Sequence, residues 1–268
     1  RNLNEPAFSA NPNRPENADD NMGVLLYTGN SQVAQDISGL NFKPDWVTIK
    51  GRSYTDWGMT FDSTRGTGKT LQGFRNYAEG TYANTLDEFR SDGFGLGADS
   101  TAQVNYQTNT YVAWNWKANG GTTSTNTDGS ITSTVQANTA AGFSIVTYTG
   151  TGSAGTVGHG LNSTPDCVII KNRTDGREWV VGHTYNGYEG QMYFTTDAFS
   201  DNSGSFNDTA PTSTVVTVNS DQTTNESSDS MVMYCFHSVE GYSKFGAYQG
   251  NGNADGAYVY LGFKPALF

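Results

Sequence analysis

Two short strings in the sequence resemble sites that bind or transform small molecules. RGTGKT, residues 65–70, is similar to a phosphate-binding loop, but Ser63 occupies a position where that loop needs glycine. TGSAG, residues 151–155, is similar to a nucleophile elbow, but it begins with Thr151 instead of glycine. Neither string has the strand before it and the helix after it that the chemistry requires. We therefore predict that RGTGKT is a surface hairpin loop and that neither string is a catalytic or nucleotide site.

Carboxylates, histidines and cysteines are the other candidates for chemistry. A glycosidase needs two carboxylates about 5–10 Å apart. Glu178 and Glu189 lie near aromatic residues, but neither belongs to a pair that recurs in the chain. NGNADG, residues 251–256, is similar to the start of a calcium loop but lacks the glutamate that completes one, so a Gly-rich hairpin turn is expected. Cys167 and Cys235 are predicted to be buried free thiols. We predict no catalytic residue, no metal and no cofactor.

The elements that would position any site come from an internal repeat of about 121 residues. The tripeptide YTG at 27–29 recurs at 148–150, and Pro44 recurs as Pro165. Chance does not hold a register across about a hundred residues, so the pattern indicates a duplicated unit. The unit contains short apolar segments that are separated by Gly, Asn, Asp and Pro, and none shows helical periodicity.

These patterns predict an all-β fold made of tandem antiparallel β-sandwich modules, jelly-roll-like, with a partial third repeat at the C-terminus. The third copy starts like the other two, since YLGFKPALF (260–268) is similar to GLNFKPDW (39–46) and GLNSTPDC (160–167). Its strands, KFGAYQG and AYVYLGFKP, are expected to pair with module B or with a neighbouring chain. The predicted parts are an extended arm (1–20), module A (21–118), a Thr/Ser/Asn-rich linker (119–141), module B (142–240) and the partial repeat (241–268).

The repeat also sorts the aromatic residues into two groups. Those that recur at matching positions are predicted to support the shared core: Trp57/Trp179, Tyr27/Tyr148, Trp114/Tyr234 and Trp116/Phe236. Those in a loop of only one module are free to bind a sugar, which is held by flat aromatic faces with amide and carboxylate hydrogen bonds. This second group gives the candidate ligand-binding residues Tyr54, Tyr82, Tyr185 and Tyr188, with Phe206 also considered.

Composition restricts the partners. The formal net charge is −11, which disfavours nucleic acid and anionic membranes. No run of about 18 apolar residues is present, so no insertion into a membrane is expected. The chain begins with Arg1 and has no apolar signal stretch, so we expect a processed or excised piece.

Four stretches resemble the tandem β-rich modules of large virion proteins in marine tailed phages, such as those of cyanobacteria. They are GFSIVTYTGTGSAGTVGHGLNSTPDCVIIKNR (142–173), TYVAWNWKA (110–118), NTDGSITSTVQANTAAGFSIV (126–146) and YCFHSVEGYSKFGAYQGNGNADGAYVYLGFKPA (234–266). The resemblance covers about residues 22–268. It implies a tail-fibre or structural protein of the virion that assembles in the host cytoplasm as a homo-oligomer, by default a trimer. No residue role is implied by it.

The function expected from these observations is non-enzymatic. The chain is predicted to be a structural and adhesion protein that contacts other virion proteins and a host-surface polysaccharide. Two alternatives stay open at this point. One is a polysaccharide-degrading enzyme of sandwich fold, and the other is an architectural head-decoration or tail protein without a ligand.

Overall fold

Strands carry nearly all the regular structure of the chain. The computed structural model describes residues 18–30, 33–55, 57–73, 75–99, 103–194, 198–265 and 267–268. These residues form several antiparallel sheets and three short helical turns, a 3-10 turn at Ala18–Asp20 and helices α1 (Ser203–Phe206) and α2 (Gln222–Asn225). The predicted all-β fold is thereby confirmed. In the ranges just given, no helix is long and apolar enough to span a bilayer.

Module A consists of a six-stranded sheet and a three-stranded sheet. The six-stranded sheet has the order β1-β9-β3-β4-β5-β6, and the smaller one has the order β2-β8-β7. The strands are β1 (Met22–Thr28), β2 (Gln35–Ser38), β3 (Trp46–Gly51), β4 (Met59–Asp62), β5 (Lys69–Gln72), β6 (Gly80–Thr81), β7 (Leu86–Arg90), β8 (Gly93–Leu96) and β9 (Thr110–Trp116). A core that includes Val47, Phe61 and Phe94 fills the space between the two sheets.

Module B repeats this plan, with two extra strands in its large sheet and one fewer in its small sheet. Its eight-stranded sheet has the order β10-β11-β12-β19-β14-β15-β16-β17, and β13 pairs with β18 in a second sheet. The strands are β10 (Ser124–Asn126), β11 (Ser133–Asn138), β12 (Phe143–Thr149), β13 (Gly155–Gly158), β14 (Cys167–Asn172), β15 (Val180–His183), β16 (Gly187–Tyr193), β17 (Ser200–Asp201), β18 (Val215–Val218) and β19 (Ser230–Phe236).

The two large sheets correspond strand by strand. The series β12-β19-β14-β15-β16-β17 of module B has the same order as β1-β9-β3-β4-β5-β6 of module A. The pairing registers also match, because Met22 lies opposite Trp116 in one sheet and Phe143 lies opposite Phe236 in the other. This correspondence supports the duplication inferred from the sequence.

The modules pack together through the outer faces of their large sheets. On β14, Val168 and Ile170 face the core of module B, whereas Cys167 and Ile169 face module A. Alternate side chains of one strand therefore enter two different cores, as the period of two in a strand requires. The molecule has four layers of sheet, with an aromatic core at the centre between the two large sheets. Its residues include Trp46, Trp116, Phe143, Trp179, Tyr234 and Phe236.

The segment 119–141, predicted to be a linker, is instead part of module B, and that prediction is wrong. It contributes β10 and β11, and β11 pairs with β12 over its whole length. Ile131 and Val135 lie in the core of module B, and Gln136 is fully buried. Threonine favours strands, so a Thr-rich segment with alternating apolar residues forms an edge hairpin as readily as a linker.

In its described residues the C-terminal segment adds no strand to the sheets of module B, contrary to one of the two predicted arrangements. Val239 forms an isolated bridge with Ser243, and Phe245 packs on Phe236 at a ring distance of 5.6 Å. In the described residues beyond Phe245 no strand is present, and Tyr258 and Tyr260 are 89 % and 77 % exposed. The turn predicted at 251–256 therefore does not join paired strands. Pairing with a neighbouring chain stays a prediction.

The predicted arm 1–20 lies outside the described residues except for its last three. Ala18–Asp20 form the 3-10 turn that leads into β1. Cys167 and Cys235 are buried and free, as predicted. RGTGKT lies in the β4–β5 hairpin, but it is not a surface loop throughout, because the Arg65 side chain is fully buried.

Candidate functional site at the module junction

The four tyrosines predicted to bind a ligand occupy different environments. Tyr54 is half-buried, and its hydroxyl donates a hydrogen bond to the Gln103 carbonyl oxygen at 3.3 Å. Tyr82 is also half-buried, and its carbonyl oxygen accepts a hydrogen bond from the Thr85 hydroxyl at 2.7 Å. Tyr185, in the β15–β16 turn, is 68 % exposed. Of these three, Tyr185 presents the most surface to solvent.

Tyr188 is not accessible to a ligand, and its prediction as a loop aromatic is wrong. It lies on β16, not in a loop, and it is only 3 % exposed. Its ring packs edge-on against Phe206, which is fully buried, with ring centres 5.2 Å apart. Both residues belong to the core of module B. An aromatic residue that occurs in one module alone can therefore fill a core that the other module fills differently.

The prediction for Trp57 is also wrong, but in the opposite direction. Trp57 was predicted to support the shared core, and its side chain is 61 % exposed. Trp179, its presumed counterpart, is fully buried. Trp179 directly precedes strand β15, whereas Trp57 precedes the corresponding strand β4 by one further residue, Gly58. In extended chain a shift of one residue turns a side chain to the opposite side. The two tryptophans thus face different environments.

Trp57 belongs to an exposed stack with Arg75 and Tyr77. The Arg75 guanidinium carbon lies 4.5 Å from the centre of the Trp57 ring and 4.3 Å from the centre of the Tyr77 ring. Tyr77 is 44 % exposed. Contacts of this kind between a guanidinium and an aromatic face are attractive and hold all three planes in place. We call these three residues the junction platform. The repeat did not point to this platform, because it assigned Trp57 to the shared core together with Trp179 and included neither Arg75 nor Tyr77.

The loop that carries Arg75 and Tyr77 rests on module B. The Trp179 indole nitrogen donates a hydrogen bond to the Arg75 carbonyl oxygen at 3.1 Å. Gly176 lies so close to this loop that an added Cβ would be 2.8 Å from the Asn76 carbonyl oxygen. Module B therefore supports the backbone of the loop, whereas the exposed side chains of the platform belong to module A.

An ion-pair network fixes the far end of the same loop. The Glu79 carboxylate accepts two hydrogen bonds from Arg173 of module B, at 2.8 and 3.0 Å, and one from Arg65 at 3.0 Å. Arg65 also forms an ion pair with Asp62 at 2.5 Å, and both side chains are fully buried. The Tyr234 hydroxyl of module B donates to Asp62 at 2.6 Å. Charged groups buried to this extent are tolerated when they are paired and hydrogen-bonded, as they are here.

The electrostatics of the network favour its ionised form. Burial alone would raise the pKa of Glu79, but the hydrogen bonds from Arg173 and the charge of Arg65 outweigh it and lower that pKa below 4.5. Burial alone would lower the pKa of Arg65, but the charge of Asp62 outweighs it and raises that pKa. The Glu79 carboxylate therefore stays ionised and paired at neutral pH, and it is not placed to act as a proton donor.

Two further aspartates, Asp45 and Asp166, have structural roles, and each directly follows one of the repeated prolines, Pro44 and Pro165. Asp45 Oδ2 accepts hydrogen bonds from the backbone nitrogens of Ala118 and Gly120, at 2.7 and 2.8 Å. Asp166 Oδ2 accepts one from the backbone nitrogen of Ser238 at 2.6 Å. Each aspartate thus fixes the chain as it leaves the last strand of its module. In the described residues no group of three or more His, Cys, Asp or Glu is arranged to hold a metal ion.

The geometry of the junction platform suits non-covalent binding. It combines two exposed aromatic faces with a guanidinium that, among the described carboxylates, forms no ion pair. Comparison with curated proteins and with solved structures gave no match in either set. Comparison with protein families gave a match to the family described as "Domain of unknown function (DUF7483)" over residues 17–268. Since the match spans both modules and the C-terminal segment, the chain belongs to this family.

Proposed function

We propose that this chain is a non-enzymatic structural and adhesion protein of a virion, similar to a phage tail fibre, and that the junction platform binds a host-surface glycan. The virion assignment depends on the resemblance of its modules to those of marine tailed phages. The glycan-binding role depends on one observation, the exposed stack of Trp57, Arg75 and Tyr77 on a rigid junction.

The junction is suited to a load-bearing role. Trp46 packs against Tyr234 and Phe143 of module B, with ring centres 4.8 and 5.7 Å away. The central core is therefore continuous across both modules, and the Glu79–Arg173 pair adds a charged contact beside it. Two modules joined in this way act as one body, so a ligand bound at the junction is held by the whole chain.

The platform has the chemistry that saccharides need. A sugar ring has an apolar face that stacks on an aromatic ring, and its hydroxyl or carboxylate groups accept hydrogen bonds from a guanidinium. Arg75 is held in place by both neighbouring rings, so little side-chain entropy is lost when it binds. Such a site is shallow and binds weakly, and several copies in an oligomer would raise the avidity.

The interior carboxylates favour adhesion over hydrolysis. Asp62 and Glu79 contact arginine, and Asp45 contacts backbone nitrogens. A glycosidase instead needs one carboxyl group with a raised pKa close to a second one in an open cleft. Glu189 is exposed on β16, and it is no part of the junction platform.

A glycan array with the full chain tests the proposal. We expect binding to a subset of bacterial surface glycans and a loss of about two- to tenfold in affinity for Trp57→Ala, since an aromatic stacking contact contributes about 0.5–1.5 kcal/mol. Tyr248→Ala is the matched control, because Tyr248 is 59 % exposed, close to the 61 % of Trp57, and lies outside the junction platform. A reducing-end assay on the same glycans tests for hydrolysis.

Three results would contradict the proposal. If no glycan binds, the architectural alternative without a ligand is favoured. If Trp57→Ala binds as well as Tyr248→Ala and the natural chain, the junction platform is not the site. If bound glycans are cleaved, the protein is an enzyme.

A further inference from the structure

Among the described residues, strand β1 has an edge without a partner strand, whereas the corresponding edge of module B is covered. In module B, β12 pairs with β19 on one side and with β11 on the other. In module A, β1 pairs with β9, and no described residue pairs with its second side. The duplicated sheet therefore shows what the free edge can accept, namely one antiparallel strand.

The hydrogen-bond pattern identifies the unpaired groups of β1. The backbone nitrogen of Lys117 donates to the Asn21 oxygen at 2.9 Å, and that of Gly29 donates to the Asn109 oxygen at 2.8 Å. Hydrogen-bonded positions alternate along an antiparallel pair, so odd-numbered residues of β1 bond to β9. The backbone groups of Met22, Val24 and Leu26 consequently point away from β9, toward the free edge.

The matching groups of β12 are paired in module B. By the same alternation, the backbone groups of Phe143, Ile145 and Thr147 point away from β19. On β11 they lie opposite Asn138, Gln136 and Thr134, respectively. Both strands thus have the same set of outward groups, and only one set has a partner in the described structure.

The edge of β1 also lacks the features that block pairing. Natural edge strands are protected by lysine, proline or a bulge, and a long apolar edge without them invites another strand. The strand MGVLLYT has no charged residue and no proline, and Val24 and Leu26 are 47 % and 62 % exposed. The N-terminal residues that would correspond to β11 include Pro12 and Pro15, which have no backbone N–H to donate.

The C-terminal segment provides a suitable strand. Residues 257–263, AYVYLGF, are rich in aromatic and β-branched residues that favour strands. In the described structure these residues form no strand and no backbone hydrogen bond, and Tyr258 and Tyr260 are highly exposed. Within the part of the chain that the structure describes, these residues stay unpaired although the β1 edge has no partner strand either.

We propose that the C-terminal segment of one copy of this chain adds as a strand to the β1 edge of a second copy. Residues 257–263 would occupy the place beside β1 that β11 occupies beside β12. Each copy has one donor segment and one acceptor edge, so the contact is head-to-tail and produces rings or filaments. This inference does not depend on the glycan-binding role.

Sedimentation of the full chain at increasing concentration is the first test. We expect multiples of 28.9 kDa. Leu26→Lys and Tyr260→Pro should each raise the concentration needed for assembly by about tenfold or more, since a charge on an edge and a missing N–H both oppose pairing. Tyr185→Lys is the matched control and should assemble like the natural sequence. An unchanged melting temperature of each variant shows that its fold is intact.

Cysteine cross-linking identifies the two partners. A chain with Val24→Cys is mixed with a chain with Tyr260→Cys, and both are oxidised. The natural thiols of Cys167 and Cys235 are buried and do not interfere. We expect a disulfide-linked pair of the two different chains, whereas Tyr185→Cys in place of Tyr260→Cys should give none.

The remaining outcomes would overturn the inference. A chain that stays at 28.9 kDa at every concentration has no such contact. Assembly that is unaffected by Leu26→Lys uses another surface. Val24→Cys chains that link mainly to each other show pairing of two β1 edges. A double variant that links only within one chain shows that the segment pairs with its own module A.

Discussion

Replacement of Glu79 by glutamine tests whether the ion pairs hold the two modules together. The substitution keeps the size of the side chain and removes the charge that both Arg65 and Arg173 contact. The Glu79 and Arg65 side chains are 10 % and 0 % exposed, so water replaces little of the lost interaction.

The expected cost follows from this burial. Loss of one partner from a buried ion pair costs about 3–5 kcal/mol. Glutamine can still accept one hydrogen bond from Arg173, and Arg65 keeps Asp62. We therefore expect a loss of about 2–3 kcal/mol in the free energy of unfolding, and a fall in Tm of roughly 5–10 °C.

Glu88→Gln is the matched control for this measurement. Glu88 pairs with Arg90 at 2.9 Å, but the two side chains are 58 % and 37 % exposed. Exposed pairs contribute about 0–1 kcal/mol, so this variant should melt close to the natural chain. If both glutamine variants lose the same stability in denaturant titrations, the junction network does not stabilise the modules and the reasoning fails.

The effect of Glu79→Gln also depends on pH in a defined direction. The pKa of Glu79 is lower in the folded chain than its ordinary value of 4.5, because arginine contacts outweigh burial. A lowered pKa gives stability that is complete above the unfolded value and is lost as pH falls through the folded value. The difference between the natural chain and the variant should therefore be constant near pH 7 and shrink below pH 4.5. A difference that does not change in acid would contradict this.

Three further predictions concern the buried residues. Trp46→Ala should lower the free energy of unfolding by about 3–5 kcal/mol and separate the melting of the two modules into two calorimetric transitions. A single transition at the unchanged temperature would contradict the central core described above. Burial lowers the pKa of Lys171 from 10.5 to about 8, so a neutral Lys171→Met should be more stable at pH 7 by about 1–3 kcal/mol. Because the pKa of Lys171 is lower in the folded chain than in the unfolded chain, the natural chain gains stability between pH 8 and 10.5. The stability advantage of Lys171→Met should therefore shrink over that range, and an advantage that stays constant would contradict this reasoning. Burial raises the pKa of Cys167 to about 12, so neither it nor Cys235 should react with a thiol reagent at pH 8 until the chain is unfolded.

Much of the fold was predictable from the sequence, because a repeated unit has repeated turns. The Pro-Asp pairs and the YTG tripeptides mark equivalent positions, and the two large sheets have the same strand order. The strands β10 and β11 were missed because their composition is typical of a linker. A Thr-rich segment forms a strand only where a sheet edge is available to pair with it, and here that edge is provided by another part of the chain.

The candidate site was less predictable than the fold. Trp57 and Trp179 match by residue type, and only the one-residue difference before their strands separates an exposed ring from a buried one. The Glu79–Arg173 pair joins residues 94 positions apart, and no local pattern connects them. Contacts between modules depend on how two sheets face each other, which neither module specifies alone.

The pairing of first with last strands has a consequence for synthesis of the chain. β1 bonds to β9, and β12 bonds to β19, so each of these early strands gains this neighbour only when the last strand of its module has been made. Closing such long loops is slow, since their entropy is lost before the contacts form. A ribosome must therefore release nearly a whole module before its large sheet can close. Premature termination before β19 would leave module B without the strand that lies between β12 and β14 and pairs with both.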